Sequence, residues 1–456
     1  MVSSGALEGR LDPEMNLYIR KVLKFNFEVK NLRTFLKLNP QYGSGEAGIE
    51  RTSLETPRYI RITDIDEYGN LKDNIGVTAS KIEEKYILND NDLLFARSGA
   101  TVGKAYLHQL QNTQYPCFFA GYMIRFIVDS DRLLPHYVFS YTQLNVYKEW
   151  VKAIQRTAGQ PNINAEEYKS LPIPVPDLET QQQIVDIFEK AYQNKKAKEA
   201  KAKKLLDSID GYLLEKLGIR LPDTTNQPNT FYVPFSKVQG NRFDPFYHKK
   251  EFDELENALK NGYYDIQLLG KHLQSISYGA SVKNEYVDDN GIPFLRISDL
   301  KRNEISVSEM VYLSPNMKQE LGNCFVKEND FLISRSGTTG MVAIVDKSLE
   351  GFAYGSFMIK FRLSENANIN LHYLSYYLNS SLMQKMVERN RIGAIQGNIT
   401  IPTIRNFQIP LPPLEIQKEI AWHIVCIRVK AKNLEQEAQE ELEEAKKKVE
   451  EMILGE

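Results

Sequence analysis

The sequence has few cysteines and no long apolar run. Its three cysteines, Cys117, Cys324 and Cys426, stand far apart without a CxxC pair or a nearby group of histidines, so neither a zinc site nor a disulfide framework is expected. We expect three reduced, buried thiols, because free cysteine is among the most buried residue types. No stretch reaches the roughly 18 apolar residues of a membrane span, and the N-terminus lacks the layout of a signal peptide. These features predict a cytoplasmic protein.

The sequence also lacks an excess of positive charge. Its formal net charge is -2 at pH 7, whereas a protein that neutralises phosphates needs Lys and Arg on its contact surface. This balance still allows a local basic face, and it equally suits a protein that binds other proteins. Catalytic motifs are missing as well, since there is no HExxH, no GxSxG and no nuclease pattern of paired acids and lysine.

Two segments are similar to catalytic motifs but are incomplete. Gly99–Lys104 is one residue short of a phosphate-binding loop and lacks the Ser or Thr that should follow the lysine. Asn39–Tyr42 differs by one residue from the Asn-Pro-Pro-Tyr motif of amino-methyltransferases, but no glycine-rich turn for S-adenosylmethionine accompanies it. We therefore predict neither nucleotide binding nor methyl transfer by this chain.

The main feature of the sequence is a domain-sized repeat, in which two halves match in order at a separation of about 236 residues. Both halves open with Arg-x-Asp-Pro, continue with a strand ending in Arg-x-Thr/Ser-Asp, and then have an Arg-Ser-Gly-x-Thr loop between apolar strands. Later, His-Tyr begins a helical segment, and a gap of 21 residues separates two glutamines in each half. The matched residues are Arg10–Pro13 and Arg242–Pro245, Arg61–Asp64 and Arg296–Asp299, Arg97–Thr101 and Arg335–Thr339, His136 and His372, Gln160 and Gln396, and Gln181 and Gln417.

Each half ends in a proline-rich segment followed by a long apolar-periodic stretch without proline. The prolines allow an edge strand but no central strand. The periodic stretches predict helices at about 179–217 and 415–454, with a coiled-coil heptad that is clearest in the second. The centre of the first helix is basic and the second is acidic, so each is a plausible antiparallel partner of the other. Taken alone, either charged run is equally typical of a solvated face.

The repeated Arg-Ser-Gly loop is the strongest candidate for a binding site. Glycine allows close approach of the backbone, and arginine with hydroxyl side chains can contact phosphates or base edges. A structural alternative stays open: Arg97 and Arg335 would brace the loop by bonding to carbonyl groups.

Together these blocks resemble the specificity subunit of Type I restriction-modification systems, over nearly the whole chain. The resemblance implies an α+β fold of two duplicated mixed α/β target-recognition domains, joined by two long antiparallel coiled-coil helices with pseudo-twofold symmetry. Residues 1–178 and 221–414 would be the recognition domains, and residues 179–220 and 415–456 the spacer helices.

The same resemblance implies a non-catalytic subunit that reads a split, asymmetric DNA site, one half-site per domain. Its expected partners are double-stranded DNA, two modification subunits that use S-adenosylmethionine to methylate adenine, and possibly ATP-driven restriction subunits. No cofactor is expected on this chain. The alternative is a duplicated-domain scaffold that binds protein and not DNA.

The predicted DNA-binding residues combine the shared blocks with three residues from a stretch where the halves diverge. Tyr278, Lys283 and Asn284 are the candidates from the divergent stretch, where base reading is expected to differ between the halves. The full set is Arg61, Thr63, Arg97, Ser98, Gly99 and Thr101 in the first half, and Tyr278, Lys283, Asn284, Arg296, Ser298, Arg335, Ser336, Gly337 and Thr339 in the second.

Overall fold

The structure, a computed structural model, describes residues 18, 24–155, 161–223, 230–239, 242–283, 285–392 and 397–454. Four predicted features lie outside the described residues, namely the motif Arg10–Pro13, Gln160, Asn284 and Gln396.

Contacts divide the chain into two units, residues 1–200 with 434–456, and residues 201–433. Each unit contains one copy of the repeat and portions of both long helices. The sequence instead predicts four segments, two domains and two spacer helices, and that division stays a prediction.

The first unit contains two four-stranded sheets and a separate strand pair. Among the strand pairs described in this unit, the last two strands of the second sheet run parallel and the other pairs are antiparallel. In spatial order the first sheet consists of Gln41–Tyr42, Met123–Phe126, Leu93–Ala96 and Ala105–Leu107, the second of Gly48–Glu50, Val77–Ala79, Arg58–Ile60 and Cys117–Phe119, and the pair of Val29–Asn31 and Pro172–Pro174.

The second unit has the same plan with longer strands in its first sheet and one additional hairpin. In spatial order its first sheet consists of Leu273–Tyr278, Met358–Leu363, Phe331–Ser334 and Val342–Ile344, and its second of Tyr286–Val287, Tyr312–Leu313, Ile292–Leu295 and Ala353–Tyr354. The two-stranded pairs are Ile266–Leu268 with Gln408–Pro410, and Leu300–Lys301 with Glu304–Ile305.

Both units also contain helices among their described residues. The α-helices of the first unit are Pro135–Tyr141, Asn145–Ile154 and Ala165–Lys169, and those of the second are Phe235–Val238, Lys250–Lys260, Lys318–Leu321, Leu371–Leu378, Ser381–Asn390 and Ile401–Arg405. Short 3-10 turns lie at Leu32–Phe35, Ile62–Asp64, Glu84–Tyr86, Leu110–Asn112, Leu269–His272, Ile297–Asp299, Pro315–Met317 and Lys347–Leu349. The central helix, Leu178–Leu217, and the C-terminal helix, Leu414–Leu454, take part in both units.

The strand that precedes each Arg-Ser-Gly loop is buried on both faces. In the first unit Phe95 faces the core formed with the helices, while its neighbour Leu94 faces the core between the two sheets. Phe331 and Leu332 divide in the same way in the second unit. Because successive side chains of a strand point to opposite faces, two covered faces explain the continuous apolar run that precedes the loop.

The proline-rich segments form strands in two-stranded pairs, as the sequence predicts. The segment Pro172–Pro174 pairs antiparallel with one partner strand only. Buried tyrosine hydroxyls fix both segments, since Tyr137 donates to the carbonyl of Pro174 at 2.7 Å and Tyr373 donates to that of Pro410 at 2.8 Å. These tyrosines are the second residues of the shared His-Tyr pairs.

The long helices pack antiparallel within each unit. In the first unit Lys198 binds Glu437 and Glu441 at 3.0 and 2.7 Å, and Ala191, earlier in the central helix, packs on Leu442. The predicted attraction between the basic and acidic blocks is therefore confirmed at Lys198.

In the second unit Lys216 binds Glu419 at 2.7 Å, and the ring of Tyr212 stacks on His423 at 4.0 Å between centroids. Ile424, Ala431 and Ala438, which fall at heptad spacing along the C-terminal helix, are buried. A seam of this kind needs apolar side chains at heptad spacing, which is what the sequence pattern indicated.

The repeated glutamines fasten each long helix to its unit. The Gln181 side chain accepts a hydrogen bond from the backbone of Leu134 at 2.8 Å and donates to the carbonyl of Pro176 at 2.9 Å. Gln417 does the same with Asn370 and Pro412, both at 2.8 Å. Both glutamines are fully buried, so their role is structural.

The cysteine prediction is correct for one residue in three. Cys117 is buried, Cys324 is partly buried and Cys426 is exposed on the C-terminal helix. The burial prediction was wrong for Cys426 because the heptad seam faces the other side of that helix. Among the described residues, no helix is long and apolar enough to cross a membrane, and no group of three or more His, Cys, Asp or Glu side chains could hold a metal ion.

Candidate nucleic-acid interface

The Arg-Ser-Gly loops have the same backbone connections in both units. The backbone N–H of Arg97 donates to the carbonyl of Tyr122 at 3.0 Å, and its own carbonyl accepts from Ile163 at 2.8 Å. Arg335 makes the corresponding bonds to Phe357 at 2.8 Å and from Ile399 at 3.1 Å. These backbone bonds hold both loops, and in the second unit the Arg335 side chain adds one long bond, from Nη1 to the carbonyl of Ser356 at 3.4 Å.

Each of these arginines stacks on a tyrosine. The guanidinium carbon of Arg97 lies 4.9 Å from the centre of the Tyr42 ring, and that of Arg335 lies 4.9 Å from the centre of the Tyr278 ring. Both tyrosines are 39% exposed. A cation over an aromatic face at this distance is attracted by the ring quadrupole, so each guanidinium is held at the surface in one orientation.

The tyrosine hydroxyls are positioned in the same way in both units. The Tyr42 hydroxyl accepts a hydrogen bond from the backbone of Ala165, and the Tyr278 hydroxyl accepts one from Ile401, both at 3.2 Å. Each donor is the first residue of a short helix that follows the loop.

The loop glycines are required by their backbone conformation. Gly99 and Gly337 have φ values of +83° and +74°, which L side chains rarely adopt. Nothing lies within 4 Å of where a Cβ would stand at either position. The space in front of both glycines is therefore open to a ligand.

The loop hydroxyls differ between the units. Thr101 is exposed and Ser98 is half-buried. In the second unit Ser336 is buried, and the Thr339 hydroxyl donates to the carbonyl of Gly397 at 3.0 Å. The features of this loop that recur in both units are the stack of the arginine on a tyrosine and the positive φ of the glycine.

Arg61 and Arg296 have a bracing role that the sequence did not assign to them. The Arg61 guanidinium binds Asp64 with distances of 3.1 and 3.0 Å, and the Asp64 carboxylate also accepts the backbone N–H of Arg61 at 2.9 Å. The hydrogen bond to Asp64 raises the pKa of Arg61. Arg296 lies 3.7 Å from the buried carboxylate of Asp299 and donates to the carbonyl of Glu309 at 3.0 Å.

The hydroxyl residues of these turns remain accessible. Thr63 and Ser298 are both exposed, and the Thr63 carbonyl accepts a hydrogen bond from Lys72 at 2.8 Å. Their predicted contact with DNA stays a prediction.

The lysine of the segment that is similar to a phosphate-binding loop is engaged internally. The Lys104 amine donates to the carbonyl of Ile65 at 2.9 Å, and burial lowers its pKa. It thus ties the loop to the Arg61 turn, a role that requires no nucleotide.

The residues predicted from the divergent stretch need one correction. Tyr278 is not peculiar to the second unit, because Tyr42 makes the same contacts in the first. Lys283 is exposed in the following loop, and Asn284 lies outside the described residues.

Sequence reasoning missed Tyr42. The signal was the dipeptide Tyr42-Gly43, which recurs as Tyr278-Gly279 at the spacing of the repeat. Both glycines pass so close to a neighbouring strand that a Cβ would lie 2.4 Å or less from a carbonyl oxygen.

Comparison with known proteins identifies similar chains. A family model, described as the Type I restriction modification DNA specificity domain, matches residues 27–206 and 274–444. Two proteins of Methanocaldococcus jannaschii are similar over most of their length. The putative type I restriction enzyme MjaX specificity subunit is 26% identical over 94% of this chain and 93% of its own.

The second relative, the type I restriction enzyme MjaVIII specificity subunit, is 22% identical over 84% of this chain and 83% of its own. A chain from a solved structure concerned with complex assembly and conformational transition of the type I R-M system superposes with a TM-score of 0.53. It is 16% identical, and the match covers 94% of this chain and 96% of that chain. The shared fold extends over nearly the full length of both.

Proposed function

Since this chain belongs to the family of the Type I restriction modification DNA specificity domain, we propose that it reads a split, asymmetric DNA site and directs adenine methylation or cleavage by partner subunits. Each unit would read one half-site. The observation that carries the proposal is the stack of Arg97 on Tyr42, repeated as Arg335 on Tyr278. It presents a cation and an open glycine loop at the surface of both units.

The proposed partners supply the chemistry. Two modification subunits would bind S-adenosylmethionine and transfer the methyl group, and restriction subunits, where present, would use ATP. This chain would contribute recognition and no catalytic group. The proposal is supported by the relatives named as specificity subunits and by the likeness to a chain of a type I R-M system structure.

The low net charge bears on how the chain would bind. A formal charge of -2 gives little long-range attraction to a polyanion. We therefore expect weak DNA binding by the isolated chain and specific binding once the modification subunits are present.

A gel-shift selection from pooled random duplexes, with and without the modification subunits, tests this function. The proposal predicts enrichment of one bipartite sequence by the assembled complex. Equal recovery of all sequences by the complex would contradict it and favour the protein scaffold. Methyl transfer by the purified chain alone would contradict its non-catalytic role.

A further inference from the structure

We propose that the Arg–Tyr stacks, Arg97 with Tyr42 and Arg335 with Tyr278, are two copies of one clamp for the DNA backbone phosphate, used identically whatever sequence each unit reads. This inference rests on the proposed function and deepens it. The inference distinguishes residues that contact the DNA backbone from residues that contact the bases.

The two pairs of repeated arginines differ in their charged neighbours. Arg61 and Arg296 occupy matching positions in the two units, and each has a carboxylate beside it. Among the described residues, neither Arg97 nor Arg335 forms an ion pair with a carboxylate, and the hydrogen bond that the Arg335 side chain does make is a long one, from Nη1 to the carbonyl of Ser356 at 3.4 Å. A guanidinium has five N–H donors in a planar fork that suits phosphate oxygens. Of these two pairs, Arg97 and Arg335 are the one without a carboxylate partner, so their charge is available to an external anion.

The hydroxyl groups of Tyr42 and Tyr278 can each donate a hydrogen bond to a ligand. Each accepts a backbone N–H at 3.2 Å, which directs its own proton away from that donor. Among the described residues, neither hydroxyl donates a hydrogen bond. Because the hydroxyl and the guanidinium belong to one stacked pair, both can donate to oxygens of the same anionic backbone.

The two Arg–Tyr stacks have the same geometry. The stacking distance is 4.9 Å in both units, and the tyrosines are equally exposed. A contact to a base edge would impose the same base on both half-sites, since bidentate arginine selects guanine. Phosphate contacts carry no direct sequence information. The same Arg–Tyr stack in two units that would recognise different half-sites is therefore suited to a phosphate contact.

The test measures DNA binding by the full chain assembled with its modification subunits, at several salt concentrations. The probes are a duplex carrying the site selected from the random pool and a scrambled duplex of the same composition. Arg97→Ala and Arg335→Ala should each lower the salt slope by about 1, because one phosphate contact is lost. The two variants should weaken binding by the same factor on both probes, and the double variant should lower the slope by about 2.

Matched variants isolate the stack. Arg132, which is exposed and stacks at 5.0 Å over the buried ring of Phe35, is an arginine–aromatic pair outside the loop, and Arg132→Ala should leave the slope unchanged. Arg97→Lys should keep the slope but weaken binding, because the ammonium keeps the charge and loses the planar fork.

Three outcomes would overturn the clamp. A loss confined to the selected duplex would indicate a base contact, and unchanged binding with a lower unfolding temperature would indicate bracing alone. A fall in the salt slope for Arg132→Ala as large as that for Arg97→Ala would indicate a general effect of charge. In all three the unaltered complex still prefers its site, so the proposed function stands. If the unaltered complex shows no preference, the proposed function itself fails.

Discussion

The two units present the same Arg–Tyr stack, but each buries other arginines in a different place and with different partners. In the first unit Arg51 and Arg58 are 1% and 2% exposed and bond to carbonyls and neutral side chains, with Tyr115 between them. In the second unit the buried Arg389 is paired with Glu256 at 2.6 Å and Asp253 at 3.4 Å.

This difference separates two kinds of residue. Three features are common to both units: the Arg–Tyr stack, the glutamine joint (Gln181 or Gln417, which fastens a long helix to its unit) and the turn arginine (Arg61 or Arg296). The other buried arginines and their partners are particular to each unit. A duplicated protein that recognises two different half-sites can keep the shared features constant and vary the features that are particular to each unit. The comparison can be tested by variants that should affect one unit only and by variants that should affect both alike.

The largest effect should come from Arg51→Met, in the first unit alone. The side chain donates to the carbonyls of Thr56, Ile75 and Leu54 at 2.7, 2.7 and 2.9 Å. Leaving these acceptors unpaired should lower the free energy of unfolding by about 3 kcal/mol, even after the gain from removing a buried charge. Calorimetry with hydrogen exchange should locate the loss in the first unit, and Arg132→Met should cause little change.

The pH effect of His108 should be confined to the first unit. His108 is fully buried beside Tyr106, and burial lowers its pKa from 6.5 to about 4. The His108 imidazole therefore becomes protonated near pH 6.5 in the unfolded chain but only near pH 4 in the folded chain. Stability is full above pH 6.5 and falls below it, by about 2 kcal/mol between pH 7 and pH 5.

Denaturant titrations of the parent chain and of His108→Gln check this effect. The variant should lose most of the decrease between pH 7 and pH 5. An equal decrease in both proteins would assign the pH dependence to other groups.

The glutamine joint should respond equally in both units. Gln181→Leu and Gln417→Leu each leave a backbone N–H and a carbonyl without their partners. Each should lower the free energy of unfolding by about 1.5 kcal/mol. Gln182, exposed and bonded to Asp186, is the control, and Gln182→Leu should be nearly neutral. Markedly unequal losses at the two buried sites would mean that the joints are not equivalent.

The smallest effect should come from Tyr42→Phe and Tyr278→Phe. Each variant keeps the ring under the arginine and removes the acceptor of one partly exposed N–H. The expected loss is about 0.5 kcal/mol at either site. Denaturant midpoints should shift alike, and a large shift at one site alone would break the equivalence of the two stacks.

The sequence predicted the elements of the fold that lie in short contiguous blocks. The repeat, the long helices with Lys198 facing acidic residues, and the edge position of Pro172–Pro174 all follow from local pattern. The stack of Arg97 on Tyr42 does not, because these residues are far apart in sequence. They meet because strand Met123–Phe126 lies between their two strands, and that spatial order is absent from local periodicity.

The roles of individual residues were harder to predict for a similar reason. Arg61 and Arg97 look alike as arginines in repeated blocks, yet one is paired with Asp64 and the other stacks on a tyrosine. Which neighbour an arginine meets depends on tertiary packing. Repetition marks a residue as shared by both halves, but it does not distinguish bracing from binding.

The central claim is that the two halves read separate words on a common framework. The direct measurement replaces residues 221–414 with the corresponding segment of a relative and maps methylated adenines by long-read sequencing in cells that also contain the modification subunits. The account predicts a bipartite methylated motif in which one half-site changes and the other is kept. A motif in which both half-sites change together would contradict independent reading.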